Sequence, residues 1–251
     1  MSMRAGPVIR IVLGCLMILS LGLSLAEAAE AQQGRLTVSQ AELYWEQRGE
    51  GPPLLLLHGF GESSVVWEPY LDRLEKDFTV VLMELRGHGR STNPGGEFTP
   101  EQSARDVVAL MDHLGWERFS AVGVSAGGMT LLHVATAHPD RLEAMVLVGT
   151  AQYVPEQARQ RILAFTADEA ATLEYLRRFT TRGDEQARML ARQFRGFATT
   201  VDDPAFTPPE LARIEAPTLL VHGDRDEFFP VEMAVEMYRA IPRAFLKVVP
   251  G

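Results

Sequence analysis

Residues 119–128 read FSAVGVSAGG, a run in which a strand is expected to turn directly into a helix. Phe119 to Val124 has the length and composition of a buried strand, and the residues after Ser125 favour a helix. Glycines at positions 123 and 127 flank the serine as Gly-x-Ser-x-Gly, and any side chain at either position would collide with a neighbouring strand or helix. The pattern predicts a sharp turn that exposes the Ser125 hydroxyl; the alternative is a tight turn that carries an ordinary serine.

The alternation of strand and helix extends along the chain in both directions. After a polar lead-in at residues 29–40, apolar runs predict strands at residues 41–48, 54–57, 78–85, 119–124, 143–148, 218–221 and 245–249. Helical spacing predicts helices at residues 65–75, 100–114, 125–137 and 231–241, and Thr99 is the expected N-cap of the second. Buried strands that alternate with helices indicate an α/β fold with a mostly parallel, doubly wound sheet.

Two segments do not belong to that alternation. Residues 152–213 contain no strand-like run but have apolar side chains at helical spacing, so we expect an all-helical cap inserted between the two parts of the core, residues 29–151 and 214–251. Residues 1–28 combine two arginines, an apolar stretch and an Ala-x-Ala site, which is typical of a secretory signal peptide. The processed protein is therefore expected to be secreted or periplasmic; the alternative is an uncleaved N-terminal membrane anchor.

Composition excludes several classes of function. The 251 residues carry 24 basic and 33 acidic side chains, a net charge of −9 that argues against a nucleic-acid partner. Cys15 is the single cysteine and lies in the apolar stretch, so disulfides, cysteine-ligated metals and thiol catalysis are not expected in the processed chain. Because no pair of histidines has metal-ligand spacing with a carboxylate, we expect neither a metal nor another cofactor.

Four motifs together resemble the α/β-hydrolase family, in the branch with a serine nucleophile and a helical cap. They are HGFG at residues 58–61, RGHGRS at residues 86–91, the turn at Ser125, and GDRD at residues 223–226 followed by Pro230. Glu84 stands where the family usually has aspartate. The resemblance runs from about residue 41 to residue 251 apart from the cap, and it implies the α/β-hydrolase fold.

Carried over position by position, the resemblance also implies a set of catalytic roles. Ser125 would be the nucleophile, and Asp226 would be the acid that orients the general base. The backbone N–H groups of Phe60 and Ala126 would form the oxyanion hole. Serine at the turn, where other branches have aspartate, implies chemistry at an acyl carbon.

Other roles are open for the residues around these. Asp226 could instead cap the helix that begins at Val231. Asp224 is the competing carboxylate, and we expect it to hold its loop through hydrogen bonds between its side chain and the backbone. His58 and His88 are expected to be structural, packing and hydrogen-bonding within their own loops.

The general base of the family, a histidine in the loop after the last strand, has no counterpart in this sequence. Residues 245–251 read FLKVVPG, no histidine follows Asp226, and the closing C-terminal helix is missing as well. His222 is the nearest substitute, but it precedes the acid loop. We expect the sequence to be a fragment whose reading frame continues into the histidine and the helix; the alternative is a natural terminus on a non-catalytic relative.

The expected protein is an exported, cofactor-independent serine hydrolase that acts on a small carboxylic ester, lactone or thioester through an acyl-enzyme on Ser125. Two alternatives stay open: C–C bond hydrolysis or perhydrolysis on the same scaffold, and a binding role on an inactive hydrolase frame. The expected partner is a small ester-type molecule, with no nucleic acid and no stable membrane association after signal cleavage.

Overall fold

The computed structural model describes residues 31–200 and 203–251, which form one eight-stranded sheet with helices packed on it. The strands are β1 Gln32–Val38, β2 Ala41–Arg48, β3 Pro53–Leu57, β4 Thr79–Met83, β5 Phe119–Val124, β6 Leu142–Val148, β7 Thr218–Gly223 and β8 Ala244–Val249. The helices are α1 Glu68–Leu74, α2 Pro100–His113, α3 Ala126–Ala137, α4 Glu156–Ala167, α5 Glu169–Arg177, α6 Gly183–Gly196, α7 Pro208–Leu211 and α8 Val231–Ala240. A 3-10 turn at Ser64–Trp67 leads into α1.

The sheet confirms the expected mostly parallel α/β architecture. Its strand order is β1-β2-β4-β3-β5-β6-β7-β8, and every neighbouring pair from β4 to β8 is parallel. The Thr99 hydroxyl accepts a hydrogen bond from the Gln102 N–H at 3.0 Å, which is the N-cap expected for α2. Because all six parallel strands point the same way, the loops after their carboxyl ends meet at one edge of the sheet.

The polar lead-in, to which the sequence analysis assigned no element, contains a strand at Gln32–Val38. This segment is β1, which pairs antiparallel with β2 along its whole length. The two strands are joined by Ser39 and Gln40, both with positive φ (44° and 68°), as a tight two-residue hairpin turn requires. The sequence hides this turn because it lacks the glycine or asparagine that usually marks it.

The central strands are buried on both faces of the sheet. In β3, Leu55 and Leu57 pack in the larger apolar core, whereas Leu54 and Leu56 pack in a second cluster on the opposite face. Consecutive side chains of a strand point to opposite faces, so four consecutive leucines can be buried only if both faces are covered. The leucine run therefore predicted correctly that β3 is a central strand.

The segment between β6 and β7 is helical, with α4, α5, α6 and α7 in its described part. Helices α5 and α6 share a small apolar cluster of their own, formed by Leu173, Leu176, Ala187 and Leu190. The buried Gln186 amide of α6 donates to the carbonyls of Gly87 (2.9 Å) and Gly89 (2.8 Å), which fastens these helices to the core loop after β4. The boundaries of the cap at residues 152 and 213 stay a prediction.

That core loop is itself held by a buried ion pair. Arg86 donates through Nε (2.9 Å) and through one terminal nitrogen (2.6 Å) to the two carboxylate oxygens of Asp106 in α2. Both side chains are almost fully buried. A bidentate pair satisfies both charges inside the protein, so the loop that carries His88 is fixed against α2.

None of the helices in residues 31–200 and 203–251 has the length and apolar character needed to cross a membrane. The expected signal peptide at residues 1–28, which includes Cys15, lies outside the described residues.

We expect Asp106→Asn to lower the free energy of unfolding by about 3–5 kcal/mol, because it leaves the buried Arg86 guanidinium without its counter-charge. The measurement is urea unfolding followed by circular dichroism. Arg105→Gln is the control, since it removes an exposed ion pair with Glu101 on the same helix and should change stability by at most about 1 kcal/mol. Equal losses in the two variants would contradict this role of the buried pair.

Candidate active site

The chain turns sharply at Ser125, between the end of β5 and the start of α3. Ser125 has a φ of 51° and a ψ of −115°, a region that costs a residue with a side chain on the order of 1–3 kcal/mol. The conformation is held by hydrogen bonds on both sides of the peptide chain: the Ser125 N–H donates to the Val148 carbonyl, and the Thr150 hydroxyl donates to the Ser125 carbonyl at 2.8 Å. The turn predicted from the Gly-x-Ser-x-Gly pattern is therefore present.

The two glycines of the pattern permit the close packing around this turn. A Cβ on Gly127 would lie 2.6 Å from the Leu57 carbonyl oxygen, and a Cβ on Gly123 would lie 2.6 Å from the Gly127 backbone. Real side chains do not approach backbone atoms so closely, so α3 can contact β3 and β5 only with glycine at both positions. The first turn of α3 is thereby brought beside the loop that follows β3.

That loop, residues 58–62, presents the second candidate oxyanion donor. His58 donates from Nδ1 to the Gly59 carbonyl oxygen at 2.7 Å and accepts from the Leu85 N–H at Nε2. Carbonyl and N–H point in opposite directions across a trans peptide, so the Phe60 N–H is turned away from His58. The Ala126 N–H is at the first turn of α3, where backbone donors have no partner within the helix.

His58 and His88 form a buried, neutral pair beneath this loop. Burial lowers the pKa of His58 to about 4, and burial together with the nearby His58 ring lowers the pKa of His88 to about 3. His88 bonds the Arg86 carbonyl through Nδ1, and its ring packs edge-on against Phe60, with 4.7 Å between ring centroids. Both histidines therefore support the loop, and neither faces the cavity described below.

The loop after β7 separates the two candidate acids. Asp226 accepts hydrogen bonds at Oδ1 from the N–H groups of Phe228 (2.8 Å) and Phe229 (2.9 Å), and its other oxygen is directed toward Gly149. The N-cap of α8 is Pro230, so Asp226 does not cap that helix. Asp224 accepts from the Gly251 N–H at 2.9 Å, a contact that joins its loop to the end of β8; that Asp224 holds its own loop stays a prediction.

His222, the nearest substitute for the missing base, is buried below this loop. Its Nε2 is 2.8 Å from the Phe229 carbonyl oxygen and 3.8 Å from Asp226 Oδ2. Because the ring is engaged with the backbone and does not line the cavity, it is not placed to take a proton from Ser125.

The candidate residues converge on one cavity of about 480 Å³ between the core and the cap. Phe60, Ser125, Ala126 and Asp226, which are all of the predicted site residues, line it. Most of the remaining wall is apolar and much of it aromatic: Met129, Val154, Ile162, Phe165, Leu176, Phe194, Phe197, Phe228 and Phe229. The cavity is therefore a mostly apolar pocket with a few polar groups, as small-molecule sites usually are.

Two polar groups of the cavity were not anticipated from the sequence. Glu62 and Tyr175 also line it, and the Tyr175 hydroxyl hydrogen-bonds to the Glu62 carboxylate. Glu62 also accepts a hydrogen bond from the Gly59 N–H at 3.0 Å. The pairing joins the loop after β3 to a cap helix, and no local sequence signal reports such a contact. Within the described parts of the chain, no cluster of three potential metal ligands occurs.

In comparisons with known proteins, the chain matches one fold family and hydrolases within it. A sequence model of the alpha/beta hydrolase fold family matches residues 52–209. Human serine hydrolase BPHL is 29% identical over 244 residues, which cover 91% of this chain and 82% of that protein. The 2-hydroxy-6-oxo-6-(2'-aminophenyl)hexa-2,4-dienoic acid hydrolase of Metapseudomonas resinovorans is 26% identical over 233 residues, 83% of this chain and 80% of that enzyme. The crystal structure of the enol-lactonase from Burkholderia xenovorans LB400 superposes with a TM-score of 0.69 at 29% identity, covering 86% of this chain and 91% of that one.

We expect Gly127→Ala to lower the free energy of unfolding by about 1–3 kcal/mol, because the new methyl group would press on the Leu57 and His58 carbonyls. Gly196→Ala is the matched control: a Cβ there meets nothing within 4 Å, and the residue ends a helix, so stability should stay the same or rise by up to about 1 kcal/mol. Urea unfolding of both variants is the measurement. If Gly127→Ala is as stable as Gly196→Ala, the close approach of α3 to β3 is not a constraint.

The neutral histidine pair predicts that stability falls in mild acid. Below about pH 6.5 the unfolded chain binds protons at both imidazoles, whereas the folded protein does not bind them until near pH 4 and pH 3. The free energy of unfolding should therefore decrease as the pH falls from about 6 to 4, by about 1.4 kcal/mol per pH unit for each histidine. His88→Gln should remove one such contribution from the slope, whatever it does to stability at pH 7; an unchanged slope would contradict the assignment.

Proposed function

Because the chain belongs to the alpha/beta hydrolase fold family and matches hydrolases over most of its length, we propose that it hydrolyses a small carboxylic ester, lactone or thioester through an acyl-enzyme on Ser125. The relatives are hydrolases that differ in the bond they cleave, as their names show. The support for acyl transfer therefore comes from the residues that line the cavity.

One observation carries the proposal: a strained serine, an anchored carboxylate and the two residues proposed to supply oxyanion donors, Phe60 and Ala126, line the same apolar cavity. Ser125 keeps a φ of 51°, which places its side chain at the top of the turn, beside the first N–H of α3. A turn that served only to connect a strand to a helix would not need this conformation, and strain of this kind is found mainly at functional sites. The apolar surroundings strengthen any interaction with charge that develops during a reaction.

In the proposed reaction the Ser125 oxygen attacks the acyl carbon while its proton passes to a base. The electron pair of the carbonyl moves to oxygen, and the resulting oxyanion is stabilised by the N–H groups of Ala126 and Phe60. The bond to the leaving alcohol or thiol then breaks, and the leaving group takes the proton from the base. Water adds to the acyl-enzyme by the same steps, which releases the carboxylic acid and restores the serine.

The base of this mechanism is proposed to be a histidine in chain beyond Gly251. Among the described residues that line the cavity there is no histidine. The end of β8 lies at the edge of the sheet that carries the site, where the Gly251 N–H donates to Asp224, two residues before Asp226. A loop that continued from this point would begin beside the loop that carries Asp226, whose carboxylate could then orient the imidazole.

Export is a separate proposal that rests on the sequence of residues 1–28. A positively charged start, an apolar stretch and an Ala-x-Ala site support a secreted or periplasmic location for the processed protein.

We expect a fluorophosphonate probe to label Ser125 in protein made from the natural gene read through codon 251 and beyond. Ser125→Ala should abolish labelling, and Asp226→Asn should slow it by about 10³-fold to 10⁴-fold, because an unoriented histidine presents the wrong tautomer. The measurement is probe incorporation with time, with the labelled peptide identified by mass spectrometry.

Asp224→Asn is the matched control for Asp226→Asn, since the asparagine oxygen can still accept from the Gly251 N–H. Its labelling rate should stay within a few-fold of the unsubstituted protein. A read-through chain that contains a histidine in the loop after β8 and still fails to react would overturn the proposed acyl-enzyme and favour a binding role on an inactive frame.

A further inference from the structure

The cavity carries negative charge and no positive charge. Its ionisable wall residues among the described parts of the chain are Glu62, Asp226 and the phenol Tyr175; no arginine, lysine or histidine lines it. In the proposed mechanism a histidine would pair with Asp226 and balance the negative charge of its carboxylate. Glu62 has no such counter-charge, so it sets the electrostatic character of the pocket.

Glu62 is close to the reacting serine. A methyl group placed on Gly59 would lie 3.0 Å from Glu62 Oε2 and 3.5 Å from Ser125 Cβ, so one methyl group would touch both. A ligand whose acyl carbon reaches Ser125 must therefore pass within a few ångströms of this carboxylate. At such separations, in a pocket with mostly apolar walls, like charges repel strongly.

Two donors hydrogen-bond to the Glu62 carboxylate. The Gly59 N–H donates to Oε2, and the Tyr175 hydroxyl donates from the cap. Burial raises the pKa of Glu62 above its ordinary value, while these two hydrogen bonds act in the opposite direction. The carboxylate also raises the pKa of Tyr175, which keeps the phenol protonated and able to donate.

We propose that Glu62 makes this cavity selective for uncharged, aryl-bearing or alkyl-bearing acyl compounds and excludes ligands that carry a carboxylate. This inference deepens the proposed function, on which it rests for the identity of the reacting group. It separates the chain from the relative in Metapseudomonas resinovorans, whose name assigns it a dienoic acid. An anionic substrate needs a cationic partner in its pocket, and this wall provides an anion instead.

The cation that contacts Tyr175, the partner of Glu62, does not reverse this charge pattern. Arg178 stacks over the Tyr175 ring, 5.9 Å from its centroid, and is exposed to solvent. Because Arg178 is not part of the cavity wall, its charge is screened by water from a ligand inside.

The test is equilibrium binding, which needs no turnover. The neutral fluorescent probe N-phenyl-1-naphthylamine reports occupation of the cavity at pH 8, and two competitors of nearly equal shape displace it: 4-phenylbutyramide, which is neutral, and 4-phenylbutyrate, which is anionic. We expect the amide to compete on the order of 100-fold better than the carboxylate, the ratio that follows from repulsion at about 6 Å and an effective dielectric constant of about 20. Glu62→Gln should reduce this ratio at least tenfold, mainly by improving the affinity for 4-phenylbutyrate.

Three variants separate charge from other effects. Glu174→Gln makes the same change at an exposed position next to Tyr175 and should leave the ratio unaltered. Tyr175→Phe keeps the carboxylate and removes one donor, so the preference for the amide should persist even if binding weakens. Ser125→Ala should also keep the ratio, since no covalent step is involved.

The inference is overturned if the unsubstituted protein binds both competitors equally, if it binds neither, or if Glu62→Gln leaves the ratio unchanged. Loss of probe labelling at Ser125 with an intact binding preference would overturn only the proposed reaction. Labelling without the preference would overturn only the role of Glu62.

Discussion

The close approach of α3 to the carboxyl ends of β3 and β6 is the constraint on which the rest of the site depends. Gly127 lies against the carbonyls of β3, and a Cβ on Gly128 would lie 2.7 Å from the Thr150 side chain. Because α3 packs closely against both strands, the backbone of Ser125, the residue before the helix, is restricted to few conformations. This packing holds Ser125 at its positive φ, and the surrounding hydrogen bonds offset the strain.

The loop after β3 shows how a buried histidine can act on the site without touching a ligand. His58 fixes the Gly59 carbonyl, which fixes the opposite side of the same peptide, the Phe60 N–H. An imidazole can do this only while it is neutral, because Nε2 must accept the hydrogen bond from Leu85. Burial, which lowers the pKa of His58 to about 4, thus keeps the loop geometry intact at neutral pH.

Sequence reasoning succeeded where local signals and global packing agree. The bounds of β5 and α3 follow from an apolar run that ends in paired glycines, and the central position of β3 follows from its four leucines. It failed at β1, whose hairpin turn uses Ser39 and Gln40 at positive φ in place of glycine or asparagine. It also missed Glu62, since this side chain acquires its role from Tyr175, a residue of the cap that no spacing rule connects to the loop.

The two carboxylates of the cavity show that position in the fold, and not residue type, decides what a buried acid can do. Each is stabilised by backbone N–H groups, which offset the cost of removing charge from water. Asp226 is anchored through one oxygen in a loop at the end of β7, so its second oxygen stays available to a further donor. Glu62 is hydrogen-bonded by both the core and the cap, so its carboxyl group is held in the wall of the cavity. In the mechanism we propose, one acid would orient a base and the other would act on the ligand directly.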